Sequence, residues 1–547
     1  MINKSRWVLA LVCLLITALF LLGGCAGQKP SEQDQGKEDV TPQEAVLIYN
    51  LSAEPETLDV AMATGKLEAT VQMAMFEGLT RLDENSQPVP AMAESWVISD
   101  DGLVYTFHLR EAKWTNGDPV TAHDFEYAWK RLLAPETGAG YAYQCFYVKN
   151  GEKYNAGEVS ADEVGVKALE DYTLEVILEA PTPYFLSLTA FPNLYPVNRA
   201  VVEANPDWHA KVETLVSNGP FKIEKWEHHQ KIELVKNPDY WDAEAIKLDR
   251  IIMTMVESAT TELSMFEAGQ IDIAESPPLE EIGRLLEEGI ATIYPELATY
   301  YYLFNVEKKP FDDPRVRKAF AMSIDRQALI DNVTQARQNP AYAVVPYGLP
   351  DVMPGDDFRE KGGDCFQEDI AKAKELLAEA GYPDGKGLPE IKVLINTHEA
   401  HQKIAEALME MWKQNLGISN ISLANQEWGI YLNSMQSGDF QLTRAGWSGD
   451  YTDAMSFLDM WTTGNGNNLT NWGNPEYDRL IKEAKSNSDP AVRIKAMHEA
   501  ERILMEDMPV IPIYFYTNVN MYKPWIKGVI VPMVGGYQEF RWAYIEK

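Results

Sequence analysis

The chain is poor in cysteine, in basic charge and in long apolar runs, and each shortage excludes something. Four cysteines in 547 residues cannot make a disulfide framework. Lys and Arg number 48 against 82 Asp and Glu, a formal charge of −34. A surface so short of positive charge is unsuited to nucleic acid, whose binding rests on phosphate neutralisation and counterion release. The same deficit disfavours docking of the folded body onto anionic lipid. No internal repeat or low-complexity linker divides the main body. What is present is apolar and aromatic: 46% and 11% of residues, with 14 Trp and 26 Tyr. That composition belongs to a folded protein and not to an acidic disordered one. The length exceeds what one hydrophobic core serves, so two or three lobes are expected.

The first segment bears on compartment. Lys4 and Arg6 precede an apolar run from Trp7 to Leu22, interrupted only by Thr17. The run is shorter than the ~20 residues that cross a bilayer and suits the core of a signal peptide. It ends in Leu22-Gly23-Gly24-Cys25, which resembles the lipobox of bacterial lipoproteins. The resemblance implies a signal peptide over 1–24, cleavage before Cys25 and acylation of its thiol. Residues 25–45 then read as a flexible polar tether between lipid and body. An ordinary signal peptide with an incidental cysteine, or a retained membrane helix, are the alternatives. Cleavage takes the formal charge from −34 to −36 by removing Lys4 and Arg6. Cys13 leaves with the signal, and Cys145 and Cys365 remain, either paired or as buried thiols. They are too few for a zinc cluster.

The body reads as mixed α and β. Val46–Tyr49, Val104–Leu109 and Leu174–Leu178 alternate or are β-rich and predict strands. Asp313-Pro314 offers an N-cap followed by proline at the first helical position, opening a helix through Val316, Ala319, Phe320 and Ser323. Helices are also expected over Asp369–Ala380, stopped by Gly381, over His401–Trp412 and over Pro490–Met505. Strands and helices alternate from about residue 390, which suggests βαβ units.

Catalytic patterns are near misses. Gly381–Lys386 has the wrong spacing for a phosphate loop, and Gly387 stands where Ser or Thr would bind magnesium. Gly446-Trp447-Ser448-Gly449-Asp450 ends in Asp where a nucleophile elbow needs glycine. His398-Glu399-Ala400-His401 is one residue short of the zinc-protease motif. His228-His229 are adjacent and would face opposite ways in a strand. No nucleophile and base are assigned, so no enzyme is expected, and no cofactor or metal.

Aromatic residues surround isolated charges in two stretches instead. One is Asn425-Gln426-Glu427-Trp428 with Arg444-Ala445-Gly446-Trp447-Ser448-Gly449-Asp450-Tyr451; the other is Thr299-Tyr300-Tyr301-Tyr302, read as aromatic surface. Aromatic walls exclude water and strengthen a charge pair between them. An acidic group so placed suits an ammonium ligand. Taken alone, Asp450 reads more readily as the cap of a helix starting near Tyr451.

Several long segments, in order, then resemble one family. They are Tyr105–Arg110 with Lys113–Ala122, Asn218–Phe221, Asn237–Trp241, Pro310-Phe311, Arg315–Arg317, Ile324–Arg326 and Arg444–Trp447. The match is to the extracellular solute-binding proteins of peptide and nickel ABC importers, family 5, in particular the oligopeptide-binding branch. The resemblance implies an α/β, periplasmic-binding-protein-like fold of two hinged lobes with mixed sheets and a third domain. Domain I would comprise 46–76, 199–297 and 517–547, domain II 77–198 and domain III 298–516. Carried over residue by residue, Asp450 receives a peptide's α-ammonium, which displaces the capping reading. Trp447 and Trp428 line side-chain pockets, and Tyr141 approaches from domain II. Gly446 and Ser448 lie where main chain pairs with the peptide, and Arg444 and His401 can meet its carboxylate. A second carboxylate-binding arginine of the family falls at Met435, and its bridging cysteines at Ala298 and Ser448, so that disulfide is absent. The implied protein is a monomeric receptor on the outer face of the bacterial cell membrane. It would pass short peptides to an ABC permease served by separate cytoplasmic ATPases. The same fold binding a murein peptide, a nickel chelate or a peptide pheromone is the alternative.

Overall fold

The computed structural model describes residues 44–275 and 277–546. The expected signal peptide, Cys25 and residues 26–43 of the expected tether lie outside the described residues.

One sheet of eleven strands runs through the molecule. Its order is Ile421–Gln426, Ile391–Asn396, Leu442–Ser448, Ala291–Phe304, Val510–Tyr522, Ile273–Glu275, Val46–Asn50, Arg250–Thr254, Lys231–Lys236 and Phe221–Glu227, with Asn339–Pro340 beside Val510–Tyr522. Parallel and antiparallel pairs mix, as the expected α/β class requires. Two long antiparallel strands, Ala291–Phe304 and Val510–Tyr522, carry the sheet from one half to the other. Their register breaks between Pro295, opposite Thr517, and Thr299, opposite Phe515, and again between Tyr300 and Tyr301. Such breaks bend and twist a strand where they occur.

The βαβ units expected after residue 390 are present. Ile391–Asn396 leads through the helix Glu399–Leu416 to its parallel neighbour Ile421–Gln426, then through the helix Trp428–Gln436 to Leu442–Ser448. The first helix forms because Ile404, Ala405, Leu408 and Trp412 recur on one face and go into the core, with Gly417 in the left-handed conformation ending it. Acidic caps start the other helices where expected. Asp313 accepts the Arg315 amide ahead of Pro314, Asp369 that of Lys372, and Asp489 that of Ala491.

A separate antiparallel sheet has the order Ala93–Ile98, Val104–Leu109, Thr173–Ile177, Val166–Glu170. It is covered by the helix Ala122–Leu133, which buries Phe125, Trp129 and Leu132. The chain leaves this helix and makes a short turn over Ala142–Cys145. Cys145 is buried and Cys365 partly so, and both are free thiols. His228 and His229 lie in the turn between two strands, with His229 at positive φ, and not in a strand.

The core is assembled on large aromatic residues, with Trp114, Trp129, Trp208, Trp412 and Trp461 fully buried. Trp412 packs on Phe320 and donates its indole N–H to the Phe320 carbonyl at 3.0 Å. Trp412→Ala is expected to lose about 3–5 kcal/mol by leaving a cavity, read as a shift of the urea unfolding midpoint.

Candidate functional site

A cavity of about 1780 Å³ lies between the two halves of the sheet and the four-stranded unit. Its floor is the strand Leu442–Ser448 and the turn after it. One edge of this strand pairs along Ala298–Phe304. The other edge is covered only at Leu442 and Thr443, by Val393 and Leu394. From Arg444 to Ser448 that edge has no neighbouring strand among the described residues, and all five residues line the cavity. An uncovered strand edge presents amide donors and carbonyl acceptors in fixed alternation, a template for another extended chain. At Gly446 a Cβ would stand 3.0 Å from the Tyr516 hydroxyl, so a larger residue would press on that side chain.

Asp450 lies just past one end of the strand. Gly449 turns the chain, its amide bonded to the Leu297 carbonyl at 2.7 Å, and Asp450 N–H donates to Ser456 Oγ at 2.8 Å. The helical turn beyond begins only at Met455, so Asp450 does not cap it. Its carboxylate instead reaches across to the turn that follows the helix Ala122–Leu133. Gln144 Nε2 donates to Oδ2 at 2.6 Å and the Tyr143 hydroxyl at 3.1 Å. Tyr141 stacks on Tyr143, ring centroids 5.5 Å apart, and bears on the same carboxylate. Asp450 is 5% exposed. Burial pushes its pKa from 3.8 to about 7, against the opposing pull of the Tyr143, Tyr141 and Gln144 donors. No cation pairs with it among the described residues.

Arg444 lies at the other end. Its guanidinium is held by aromatic faces and hydroxyls. Tyr516 Oη stands at 3.0 Å, Asn396 Oδ1 at 3.3 Å and the Tyr300 ring centroid at 5.1 Å, and Nε has no partner among the described residues. No carboxylate pairs with it there either. Tyr431 turns its hydroxyl onto the Arg444 carbonyl and fixes the backbone. The stretch Thr299–Tyr302, expected as aromatic surface, is buried strand: its tyrosines point into the core because their strand is flanked on both edges. Tyr300 nonetheless backs Arg444.

Trp428 opens the helix Trp428–Gln436, stays 52% exposed at the cavity wall and stacks on Tyr431 with centroids 5.8 Å apart. Trp447 lines the wall and anchors its indole N–H on the Ser456 carbonyl at 2.7 Å. Met435 is buried behind the same wall. Ser448 Oγ donates to Glu296 at 3.2 Å, and Glu296 pairs with Lys66, whose segment is the opposite wall. Ser448 also faces Ala298 directly across the strand pair. Seven of the eight sequence-derived residues thus border one cavity: Tyr141, Trp428, Arg444, Gly446, Trp447, Ser448 and Asp450. His401 does not line it. His401 bonds the Tyr300 hydroxyl at 3.2 Å, and burial, Arg444 and His398 hold it neutral by pushing its pKa far down.

Sequence reading missed Tyr143, Gln144, Tyr516 and the Lys66–Glu296 pair, because each joins segments far apart in the chain. The near-miss motifs are structural here. His398 caps the helix Glu399–Leu416 through the Ala400 amide, Pro383–Gly385 is a short turn, and the Ser448 hydroxyl is engaged by Glu296. Among the described residues no three His, Cys, Asp or Glu side chains gather as metal ligands.

The sequence pattern of the bacterial extracellular solute-binding proteins, family 5, matches residues 87–468. The oligopeptide-binding protein OppA of Bacillus subtilis is 41% identical over 99% of this chain and 100% of its own length. The dipeptide-binding protein DppE of the same organism is 40% identical over 99% of both. The murein tripeptide binding protein MppA of Escherichia coli superposes with a TM-score of 0.85 at 36% identity, over 92% of this chain and 99% of that one. Its unliganded open form superposes at 0.67, so the present conformation is unlike that open one.

Asp450 also makes a stability prediction. The folded carboxyl keeps a proton that the unfolded chain releases between pH ~4 and ~7, so ligand-free stability falls as pH rises through that window. Asp450→Asn removes the penalty. It should stabilise the ligand-free protein by about 2–4 kcal/mol at pH 8, an advantage that fades toward pH 4. Urea titrations at pH 4, 6 and 8 check both the sign and the window.

Proposed function

The chain belongs to the bacterial extracellular solute-binding proteins of family 5, and from that membership we propose that it is a receptor for short peptides held by both ends. One observation carries this reading. An uncompensated carboxylate and an uncompensated guanidinium stand at opposite ends of one uncovered strand edge. A peptide in its zwitterionic form supplies both missing charges and a backbone that completes the edge as an added strand. The side chains would then project into the wide, water-filled parts of the cavity, where Trp428 and Trp447 offer apolar walls and water adapts to the rest.

In this reading domain I (46–76, 199–297, 517–547) and domain II (77–198) close against domain III (298–516). The boundaries 297/298 and 516/517 fall in the register break of the two long strands, a natural place for a bend. Closure would bring Gln144 and Tyr143 onto Asp450, Tyr147 Oη to 2.9 Å from Tyr451 Oη, and Lys66 onto Glu296. Ligand favours the closed form by adding contacts to both sides. The closed receptor would hand its peptide to an ABC permease driven by separate ATPases. We further propose that Cys25 is acylated and tethers the receptor to the outer face of the cell membrane. Cys25→Ser should then shift the protein from the membrane fraction to the medium, and intact-mass analysis of the wild type should show a lipid-modified Cys25 at the N-terminus.

The decisive comparison is calorimetry with one tripeptide, free and N-acetylated. The free form is expected to bind at least ~30-fold tighter, since leaving Asp450 buried and unpaired costs about 2–5 kcal/mol. Equal binding would sink the proposal. Affinity should weaken below pH ~7 as Asp450 protonates, and again above ~8 as the peptide's amine loses its charge.

A further inference from the structure

We propose that Gln144 is a positioning residue for the ammonium anchor, holding Asp450 Oδ2 in place through its amide N–H while its own carbonyl has no donor among the described residues. This rests on the reading of Asp450 given above.

The geometry is specific. Gln144 is 1% exposed and lies in the turn Ala142–Cys145. Its Nε2 is 2.6 Å from Asp450 Oδ2, across 306 residues of sequence. Its Oε1 is buried and has no donor among the described residues. The two ends of an amide are only about 2.2 Å apart, by the bond lengths of C=O and C–N, so the orphan acceptor stays close beside the carboxylate. Buried acceptors without donors are rare, and each calls for a reason. Here the reason is directional. The reverse orientation of the amide would set two acceptors face to face, so only one orientation serves Asp450. An apolar side chain of the same shape would leave no orphan. The fold keeps a locally unfavourable residue at a place where its one productive hydrogen bond falls on the anchor.

That hydrogen bond has two effects on the anchor. It fixes the carboxylate between the Tyr141–Gln144 segment and the Gly449–Asp450 turn. It also favours the ionised form, together with the hydroxyls of Tyr143 and Tyr141. Asp450 shares the large cavity with charged groups that include Lys66, Glu68, Arg444, Asp459 and Lys485, and a small one with Arg81, Asp83 and Glu539. Arg81 is committed to Glu539 there.

Gln144→Met keeps the volume and removes both polar ends; Gln144→Glu keeps the shape and sets a second carboxyl against the first. Binding of a free tripeptide and of its N-acetylated counterpart is measured across pH 5–9, with the melting temperature of each ligand-free variant. The expected result for Gln144→Met is about tenfold weaker binding of the free peptide and unchanged binding of the acetylated one, with the pH midpoint moved upward and no loss of melting temperature. Gln144→Glu should move the midpoint further up, because two close carboxyls share a proton. A lowered melting temperature with discrimination and midpoint as in the wild type would make Gln144 merely structural and overturn the proposal. So would no change in either readout. Should Gln144→Met not fold, the midpoint of Gln144→Glu decides alone. If the wild type itself fails to discriminate the two peptides, the reading of Asp450 falls and this proposal falls with it. Discrimination that stays at the wild-type level in both variants removes only this proposal.

Discussion

The structure turns on a carboxylate placed where it is least at ease. Asp450 is almost fully buried, its charge is met by hydrogen-bond donors but by no cation, and burial draws its pKa toward neutrality. Left alone, such a group weakens the fold. A receptor has a use for that discomfort, because an incoming cation recovers what burial took away. Arg444 repeats the arrangement with the opposite sign, softened by Tyr300 and Tyr516. Elsewhere several buried charges are closed among themselves, as Arg493 is with Asp453 and Arg359 with Glu501, while Arg317 is met only by backbone carbonyls and Glu262 by no cation among the described residues. What sets Asp450 and Arg444 apart is that both border one cavity, at opposite ends of an uncovered strand edge.

The fold makes the incompleteness possible. A strand in the middle of a sheet is normally saturated on both edges. Leu442–Ser448 is saturated on one edge throughout and on the other for only its first two residues, since its neighbour Ile391–Asn396 ends its pairing at Leu394. The remaining backbone faces a cavity and not solvent at large, so an added strand would be enclosed by Trp428, Trp447 and Tyr141. The two crossing strands hold this floor to the rest of the sheet, and the registers break where the halves meet. In the proposed reading the bend lies between the halves, at these breaks.

Much of the architecture was legible because its signals are local. Asp313-Pro314 announces a helix start by chemistry that needs only neighbouring residues, the helix from Asp369 was marked by its apolar spacing, and the β-rich runs at Val46 and Val104 needed only their own alternation. The site was legible in a different way. Asp450 read in isolation is a helix cap; only the resemblance of long segments moved it to the ammonium role, and its observed partners are side chains and not a helix end. Thr299–Tyr302 read as aromatic surface around isolated charges. Each turned out to sit in a strand paired on both sides, a fact about partners and not about the run itself. Gln144 carried no signal at all, because its meaning comes from a residue 306 positions away.

The size of the cavity completes the argument. About 1780 Å³ is well above the ~300–1,000 Å³ of a site shaped to one small ligand. A site of that size cannot be selective by shape. Selectivity must come from the few directional elements it holds in place: one anion, one cation, and a strand edge between them. Those elements address what every short peptide shares and ignore what distinguishes one from another. The substitution pattern fits the same logic. Where the family's second arginine would stand, Met435 offers only apolar bulk behind the wall. In the proposed reading Arg444 is then left to meet the far end alone, from a position fixed by the Tyr431 hydroxyl on its own backbone. In the proposed reading, tolerance of sequence and strictness about the amino end are two consequences of one design, in which the unpaired charge sits at the ends of an otherwise roomy cleft.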